Sequence, residues 1–497
     1  MASTYYNKTL ALTYEESGEW ALALDKDRVL FGTGFGRLLA YIQNNLTCKG
    51  HCVIWNYHLS EMCVWTGEER FTKVQRNGLK SFNVKYAEIG ENIEFKNAYE
   101  YFLQISLGKI AEQKCINSAN ELTIIWNAFE KERINNDGYI SRIPTTYIGY
   151  VRKGLQNKAD FPRLAKSITP ETHKLISECK SGGLCGIDES KIDETHLVNC
   201  YDFKSFYPWI MVSQLFPQGS YGIHTDWSNP KVLEKHPFVK DRFWIARLRF
   251  KFIKPKKADW LGLKKNNEIV ITNLDYKIIK EDYYFELERV IEIIPFLTSA
   301  QLPDEIRDYI MEQFKKKESC AKSTEEYTQA KVFLNSIYGL FNQDQTKYDN
   351  PIDCWSAKQR PLVIGKFVAA YGRYFLWSIM KNSDPIHWDT DGFKTEYNLS
   401  REIFLFNQER KIKDSMLGQL MLEEKWAEVT VFGNKQYLLN DKLKLAGTKG
   451  DLAKEYCDKI GEVPHCGLTI PPEYTSRILL INNKITKIPF TIGGKTK

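Results

Sequence analysis

The sequence lacks the long apolar segments of membrane proteins and exported proteins. Nowhere do about 18 apolar residues stand together, which is close to the length that a membrane-spanning helix needs. The first residues, MASTYYNKTL, also lack a basic start followed by an apolar run, so they do not resemble a signal peptide. We therefore expect a cytoplasmic protein that has no membrane partner.

The sequence has no low-complexity stretch and no internal repeat, which argues against extensive disorder and against a repeat architecture. Its 11 cysteines are odd in number and scattered, which fits reduced thiols better than a disulfide framework. One cluster contains residue types that bind zinc: Cys48, His51, Cys52, His58 and Cys63. Because it lacks two clean C-x2-C or H-x3-H arms, its spacing favours ordinary thiols over a zinc site.

What is present is a long chain of ordinary globular composition. With 497 residues, of which 43% are apolar, it is too long for one core, so we expect a multidomain protein. Lysine and arginine number 69 against 62 acidic residues, which leaves a formal net charge of +7. This mild excess suits a polyanionic partner without demanding one.

Patterning along the chain predicts several folded segments. Residues 1–130 alternate short apolar runs with turn signals and predict a small α/β domain. A basic, turn-rich stretch places a domain boundary between residues 130 and 180. Beyond it, residues 197–201 predict a strand that ends in a polar turn at Asp202, residues 304–340 predict helix, and residues 387–395 predict a strand pair.

The first motif is YDFKSFYPWIM, residues 201–211. A strand delivers Asp202 to a turn that contains Ser205, Tyr207 and Pro208. An acid at the end of a strand is a common metal-binding position. Taken alone the motif is weak, because an Asp before a turn is more often a simple cap.

The second motif is KVFLNSIYG, residues 331–339. Lys331, Asn335 and Tyr338 fall at i, i+4 and i+7, so they project from one face of a helix. The opposite side carries an apolar stripe that we expect to face the core: Phe333, Ile337 and Leu340. Such a helix could hold a triphosphate and a base, although a solvated polar face would look the same if this motif stood alone.

The third motif is IHWDTDGFK, where Asp389 and Asp391 stand two apart in a predicted hairpin. The strand period of two places both carboxylates on one face and turns Thr390 away. Like charges held that close repel each other unless a cation lies between them. Mg²⁺ is the natural cation for phosphate chemistry, whereas two solvated acids in a surface turn are the alternative.

Together the motifs D-x2-S-x-Y-P, K-x3-N-S-x-Y-G and D-T-D, in this order, resemble motifs A, B and C of family B DNA polymerases. The K-x-Y pattern at Lys435 and Tyr437 resembles a further motif of that family. The long insertion between Tyr207 and Lys331, the stretch IPTTYIGYVRK and the K-x-A-G at residues 444–447 are similar to protein-primed members from small tailed phages. The resemblance covers residues 140 to the end well and the first 130 only faintly.

The resemblance implies an α+β multidomain fold, a right-hand polymerase with palm, fingers and thumb that follows an N-terminal exonuclease-like α/β domain. It implies this layout: 1–130 degenerate exonuclease-like domain, 131–180 connector, 181–250 first palm part with motif A, 251–305 an insertion like the terminal-protein region, 306–342 fingers with motif B, 343–360 a shortened second insertion, 361–447 second palm part with motif C and K-x-Y, and 448–497 thumb.

The resemblance also implies a template-directed DNA polymerase that transfers a nucleotide from a dNTP to a 3′ hydroxyl. Asp202 and Asp391 would hold two Mg²⁺ ions, or Mn²⁺ in their place, and Asp389 would support them. The implied partners are template and primer DNA, dNTPs and a terminal protein that primes synthesis in the cytoplasm of a bacterial host. A template-independent or RNA-copying nucleotidyltransferase of the same fold, or a degenerate DNA-binding scaffold, stays open.

Further roles follow from the same resemblance. Lys331 would neutralise the triphosphate, and Asn335 and Tyr338 would shape the pocket for the nascent base pair. Tyr207 would be the steric gate against a 2′-hydroxyl, and Ser205 would lie at the nucleotide. A separate set of residues would contact DNA: Lys435, Tyr437, Arg373, Thr390 and Lys444.

The sequence departs from the family at three places. The exonuclease motifs should contain aspartates, but none occurs from Val29 to Asn136, and Glu15 and Glu61 alone make a poor two-metal site. This favours a retained fold without nuclease activity. KSGG at residues 180–183 begins with lysine where relatives have tyrosine. Gly392 replaces the usual serine after D-T-D, which we expect the site to tolerate.

Overall fold

The chain is described here from a computed structural model, which covers residues 8–14, 17–23, 29–45, 51–56, 81–86, 91–97, 170–263, 267–342, 362–413, 416–481 and 484–494. It forms two compact units. The first comprises residues 1–151, 320–329 and 447–497, and the second comprises residues 152–319 and 330–446. In the described part of the chain, no helix is both long and apolar enough to cross a membrane.

The N-terminal part of the first unit is a mixed six-stranded sheet with one helix. The strand order is β3-β2-β1-β4-β6-β5; β4 is parallel to β1 and β6, and the other pairs are antiparallel. The elements are β1 Lys8–Tyr14, β2 Glu19–Ala23, β3 Val29–Thr33, α1 Phe35–Asn45, β4 His51–Asn56, β5 Ser81–Tyr86 and β6 Glu91–Asn97. The predicted α/β character is confirmed over these described residues.

The C-terminal part of the first unit is small and built from short elements, which are α10 Gly450–Ile460, β19 Thr469–Ile470, a 3-10 turn Pro472–Tyr474, β20 Ile478–Ile481, β21 Lys484–Lys487 and β22 Phe490–Thr491. Strand β19 pairs with β22, and β20 pairs with β21. Helix α10 ends at Ile460 and is followed by the cap residue Gly461, whose φ of +69° is left-handed and favours glycine.

The second unit is organised around an antiparallel seven-stranded sheet of order β18-β17-β16-β8-β15-β14-β7. Its strands are β7 Cys185–Ile187, β8 Thr195–Phe203, β14 His387–Asp389, β15 Gly392–Thr395, β16 Leu420–Gly433, β17 Gln436–Leu439 and β18 Lys442–Leu445. A core cluster of Val198, Val429, Val431 and neighbours packs on this sheet. Because β8 and β15 are adjacent, the strands that carry the first and third motifs lie side by side.

Five further helices of the second unit are α2 Pro170–Glu178, α3 Phe206–Ser213, α4 Val232–Lys235, α8 Leu362–Met380 and α9 Ser400–Glu409, and a 3-10 turn lies at Glu189–Lys191. Helix α9 packs on β16 of the sheet, and α2, α3 and α9 pack on α8. Helix α8 is buried on nearly every side, as its almost continuous apolar sequence requires. Phe203 and Phe206 stack with ring centroids 4.1 Å apart, and Trp209 continues the stack. This packing fixes the start of α3, which carries Tyr207.

A second, three-stranded antiparallel sheet of order β11-β10-β12 packs with helix α5. The elements are β9 Phe216–Gln218, β10 Trp244–Pro255, β11 Glu268–Thr272, α5 Asn273–Asp282, β12 Tyr283–Pro295 and β13 Thr298–Ala300, of which β9 and β13 pair with each other. A capping box between Thr272 and Asp275 starts α5. Helix α5 packs on α8, so this segment shares the core of the unit.

The predicted helix over residues 304–340 is two helices, α6 Asp304–Ser319 and α7 Glu325–Phe341. Thr324 separates them, because its hydroxyl oxygen accepts a hydrogen bond from the backbone N–H of Tyr327 and so caps α7. The apolar stripe is confirmed: Phe333, Ile337 and Leu340 are buried.

Two of the predicted domain boundaries fall inside single secondary-structure elements. The boundary at 250/251 falls inside β10, and the boundary at 305/306 falls inside α6. The predicted strand 197–201 extends through Phe203, so Asp202 lies within β8 and not in the turn. The shortened insertion 343–360 and most of the connector lie outside the described residues, as do Cys48, His58, Cys63, Glu15 and Glu61.

Candidate active site

The structure brings Asp202 and Asp391 to neighbouring backbone positions in the seven-stranded sheet. Asp202 lies near the end of β8, where it pairs with Gly392 of β15. Asp391 lies in the two-residue turn between β14 and β15, and its carbonyl oxygen accepts a hydrogen bond of 3.0 Å from the backbone N–H of Phe203. Motifs A and C therefore meet at one edge of the site although 188 residues separate the two aspartates in the sequence.

Gly392 leaves room for the Asp202 carboxylate. A Cβ atom at position 392 would lie 2.6 Å from Oδ1 of Asp202 and 2.8 Å from the carbonyl oxygen of Tyr201. A side chain there would force one of these groups to move. The glycine that departs from the family's serine thus fits the local packing of this chain.

The folded protein disfavours the ionised forms of both Asp202 and Asp391. Burial, together with the charges of Asp391 and Glu423, raises the pKa of Asp202 to about 8. Burial and the nearby Asp389 raise the pKa of Asp391 to about 6. Such carboxylates fit a divalent cation, which would relieve the repulsion. The described residues contain no group of three or more His, Cys, Asp or Glu side chains arranged around one metal position. A cation bound by Asp202 and Asp391 would therefore take its remaining ligands from groups other than these side chains.

Asp389 has protein partners instead. Its Oδ1 accepts hydrogen bonds from Lys435 Nζ at 2.7 Å, Thr390 Oγ1 at 2.9 Å and Cys185 Sγ at 3.3 Å. Burial alone would raise the pKa of Asp389, but the Lys435 ammonium and the other donors bring it below its usual value. Asp389 is therefore an anion that the protein itself compensates, in contrast to Asp202 and Asp391.

The prediction that Thr390 turns away from the two acids is wrong. Thr390 has a left-handed φ of +62°, so the alternation of an extended strand does not apply at this turn. Its hydroxyl group donates to Asp389, and its backbone N–H donates to the carbonyl oxygen of Leu184 at 2.7 Å. Thr390 thus fixes the hairpin, and its predicted contact with DNA stays a prediction.

Tyr207 and Tyr338 form a stacked pair beside the aspartates. Their ring centroids are 4.4 Å apart at an interplanar angle of 27°. The ring of Tyr207 is seated against two glycines: a Cβ at Gly183 would lie 2.9 Å from its hydroxyl oxygen, and one at Gly372 would lie 2.8 Å from its Cε1. Asn342 donates a 2.8 Å hydrogen bond to the Tyr338 hydroxyl group. Motifs A and B thus meet in one aromatic wall.

A group of lysines lies near motif A and comprises Lys204, Lys317 and Lys331. Lys317 of α6 donates a 3.3 Å hydrogen bond to Ser205 Oγ. Burial lowers the pKa of Lys317, and the charges of Lys204 and Lys331 lower it further. Lys331 and Asn335 are exposed on α7, so both side chains are accessible to a ligand. Sequence reasoning missed Lys317; the run of three lysines at residues 315–317, on a helix directly before motif B, was the available signal.

The K-x-Y segment approaches the same site from β17. Lys435, with a left-handed φ of +60°, reaches Asp389, and Tyr437 pairs in register with the exposed Lys444 of β18. The Tyr437 ring lies 4.7 Å from the ring of His387. Lys435, Tyr437 and Lys444 are therefore close together, which is compatible with the predicted DNA contact.

Arg373 does not fit the predicted contact with DNA phosphate, because its side chain is fully buried in α8. Its guanidinium group forms a bidentate pair with Asp275 of α5, with distances of 2.7 and 2.9 Å, and donates a 2.6 Å hydrogen bond to the carbonyl oxygen of Gly182. Lys366, about two turns earlier on the same face of α8, donates to the carbonyl oxygens of Ser177 and Cys179. These two cations hold the KSGG segment, and through it Gly183, against Tyr207.

Removing Arg373 should therefore be costly for stability. We expect Arg373→Met to lower the free energy of unfolding by about 3–5 kcal/mol, because it leaves the Asp275 carboxylate buried without a partner. Urea unfolding followed by circular dichroism measures this. The double variant Arg373→Met with Asp275→Leu should lose less than Arg373→Met alone. An equal or larger loss in the double variant would contradict a compensated ion pair.

His387 is a fully buried imidazole, and neither ring nitrogen finds a hydrogen-bond partner among the described residues. Burial, together with the charge of Lys394, lowers its pKa to about 3. The unfolded chain would take up this proton near pH 6.5, so the folded state loses stability as the pH falls from about 6.5 to about 3, by up to about 1.4 kcal/mol per pH unit.

We therefore expect a difference in acid sensitivity between the wild type and His387→Leu. Between pH 7 and pH 5, the wild type should lose about 1–2 kcal/mol more of its free energy of unfolding than the variant. Urea titrations at the two pH values test this. Parallel losses in both proteins would show that His387 does not stay neutral in the folded state.

This chain is similar in sequence to known viral DNA polymerases. Residues 155–355 match the model of the family described as DNA polymerase type B, organellar and viral. The DNA polymerase of Acidianus bottle-shaped virus (isolate Italy/Pozzuoli) is 21% identical over 451 residues, which cover 84% of this chain and 62% of the relative. The DNA polymerase of Streptococcus phage Cp-1 is 24% identical over 357 residues, which cover 66% of this chain and 60% of the relative. The chain thus spans about three fifths of the length of these curated relatives.

Solved structures show the fold. Phi29 DNA polymerase complexed with primer-template DNA and incoming nucleotide substrates superimposes with a TM-score of 0.68 at 13% identity, covering 98% of this chain and 100% of that one. The same polymerase complexed with single-stranded DNA gives a TM-score of 0.66, also at 13% identity, covering 97% and 100%. The predicted α+β multidomain polymerase fold and the resemblance to family B DNA polymerases are confirmed.

Proposed function

We propose that this chain is a template-directed DNA polymerase that transfers a nucleotide from a dNTP to a 3′ hydroxyl. The observation that carries the proposal is the pair Asp202 and Asp391, two partly buried carboxylates with raised pKa values, one near the end of β8 and one in the turn before the adjacent β15. Around them lie an aromatic wall, a lysine cluster and the K-x-Y segment. The family match over residues 155–355 supports the same reaction.

Each residue of the site would have its own role in nucleotide transfer. Asp202 and Asp391 would hold Mg²⁺, or Mn²⁺ in its place. The bound ions would activate the 3′ hydroxyl and stabilise the leaving pyrophosphate. Lys331 and Lys317, both near motif A, would neutralise the triphosphate, since an ammonium group is a compact point charge that suits phosphate. Asn335 would face the nascent base pair from the exposed side of α7.

Tyr207 would exclude ribonucleotides, because its ring is held against Tyr338 and two glycines and cannot retreat from a 2′-hydroxyl. Lys435 would keep Asp389 neutralised, so that Asp202 and Asp391 remain the anions available to cations. Lys444 and Tyr437 would lie along the primer end. Phi29 DNA polymerase has been described with primer-template DNA and nucleotides, which supports DNA and dNTPs as the ligands here.

We further propose that synthesis starts from a terminal protein. The support is the resemblance of the long segment between motifs A and B to protein-primed phage polymerases. In this chain that segment contains the sheet β11-β10-β12 and helix α5, whose Asp275 is paired with Arg373. A priming protein would therefore contact a segment that shares a core with the palm.

The proposed reaction is tested with a 5′-labelled DNA primer, alone or annealed to a longer template, in Mg²⁺ with four dNTPs. We expect extension to the end of the template only in the annealed sample. Extension of the single strand alone would indicate a template-independent transferase. Extension on an RNA template but not on a DNA template would indicate an RNA-copying enzyme, and binding without extension would indicate a scaffold.

We also propose that the protein lacks 3′–5′ proofreading, because no aspartate occurs from Val29 to Asn136 and Glu15 and Glu61 alone make a poor two-metal nuclease site. A mismatched 3′ nucleotide on labelled single-stranded DNA should remain in place in Mg²⁺ without dNTPs. If degradation occurs and persists when Glu15 and Glu61 are both changed to Gln, the nuclease residues lie elsewhere in the chain.

A further inference from the structure

Lys394 lies on the same face of the seven-stranded sheet as the carboxylates. In β15 it pairs directly with Cys200 of β8 and with His387 of β14. Asp202 and Asp389 are each two residues further along those strands, and both pair with Gly392. Directly paired residues share a face of a sheet, and so do alternate residues on one strand. Lys394 therefore lies on the same face as Asp202 and Asp389, two residues further from the turn that contains Asp391.

The ammonium group of Lys394 has an aromatic partner. Its Nζ lies 4.2 Å from the centroid of the Tyr437 ring, well within the range of a cation–π interaction. The lysine is partly buried, and its charge acts on Asp389, Asp202 and Glu423. Burial lowers the pKa of Lys394, whereas the charges of Asp389 and Asp202 act in the opposite direction and favour the ammonium form. No part of the proposed mechanism so far uses this group.

We propose that Lys394 is a positioning residue of the polymerase site, which sets the affinity of the carboxylates for divalent cations and holds the Tyr437 ring in place. Both effects have one cause, a positive charge fixed behind Asp202. The charge repels an approaching dication and so weakens its binding. The same ammonium group attracts the face of the Tyr437 ring, so the ring keeps one orientation toward the primer end. The second effect rests on the proposed function, whereas the first can be measured without DNA.

Equilibrium binding of Mn²⁺ alone, followed by electron paramagnetic resonance of the free ion, tests the first effect. We expect Lys394→Met to bind Mn²⁺ roughly tenfold more tightly than the wild type, because a repelling charge is lost. Lys394→Arg, which keeps the charge, should bind within about twofold of the wild type. Glu423→Gln provides the opposite control: it removes a negative charge that acts on Asp202 and Asp391 and should weaken binding.

Two further controls test whether the measured Mn²⁺ binding occurs at the site of Asp202 and Asp391. Asp202→Asn should lose most of the Mn²⁺ binding, which shows that the measurement reports this site. Lys231→Met removes a charge from an exposed helix cap and should change the affinity little. If Lys394→Met does not fold, Lys394→Gln replaces it and carries the same expectation. Unchanged or weaker Mn²⁺ binding by a folded neutral variant would overturn the proposal.

Primer extension tests the second effect. Lys394→Met and Tyr437→Leu should each raise the KM for the primer-template severalfold, and the double variant should be no worse than Tyr437→Leu alone, because both changes remove one ring position. Independent, additive effects would overturn the link between the two residues. If no protein extends a primer but Mn²⁺ affinity shifts as expected, the polymerase proposal fails while the charge effect of Lys394 stands.

Discussion

Asp202→Asn and Asp391→Asn are each expected to lower the rate of nucleotide incorporation by at least about 10²–10³-fold. A neutral amide cannot replace a carboxylate that compensates a divalent cation and the charge that develops on the reacting phosphate. Single-turnover incorporation of one dNTP on a primed template measures the effect. Asp226→Asn, a change at a highly exposed carboxyl, is the matched control and should keep the wild-type rate.

A second readout separates lost chemistry from lost folding. At neutral pH the raised pKa of Asp202 means that its ionised form destabilises the folded protein when no cation is bound. Asp202→Asn removes that charge, so without added metal its melting temperature should be equal to that of the wild type or a few degrees higher. An inactive variant that also melts earlier would point to a structural role, and incorporation within tenfold of the wild type would sink the assignment of the site.

Tyr207→Val is expected to admit ribonucleotides. Removal of the ring relieves a steric conflict worth about 1–3 kcal/mol, which corresponds to roughly a 5- to 150-fold change in discrimination. The ratio of kcat/KM for dATP to that for ATP on one primed template measures it. The ring rather than the hydroxyl group should matter, because the Tyr207 hydroxyl oxygen is buried and has no hydrogen-bond partner in the described part of the chain.

Tyr207→Phe is therefore the matched control, since it keeps the ring and should keep the discrimination. The neighbouring contacts predict a related result for Gly183→Ala, whose Cβ would press on the Tyr207 hydroxyl oxygen. That variant should change the discrimination between dATP and ATP, although residue 183 lies outside motif A. Equal discrimination by Tyr207→Val and the wild type would mean that another group recognises the sugar.

The sequence was informative where chemistry is local. The sequence singles out Asp202, Lys331 and Asp391, because each stands in a short motif whose residue types and spacing are specific. That Asp202 and Asp391 would share one site follows from the resemblance to one family. The helical face of motif B was also predictable, because Phe333, Ile337 and Leu340 repeat at the helical period and are buried as expected.

Contacts between distant segments were less predictable. Arg373 looked like a phosphate ligand, and nothing local identifies Asp275, 98 residues earlier, as its partner. A signal did exist: Lys366 and Arg373 are the only charged residues in the apolar helix 362–380, and charges in such a helix are usually buried and paired. The left-handed turn at Thr390 and the position of Lys394 behind the carboxylates depend on the pairing of β8, β14 and β15, which the local pattern does not specify.

The central claim is that the site formed by Asp202 and Asp391 copies a DNA template. The most direct measurement uses four primed templates that differ only in the first unpaired base, each offered one dNTP at a time with Mg²⁺, with Asp202→Asn alongside. We expect each template to direct its complementary nucleotide with a preference of at least about tenfold, and the variant to incorporate none. Incorporation of the same nucleotide on all four templates, or unchanged incorporation by Asp202→Asn, would contradict the account.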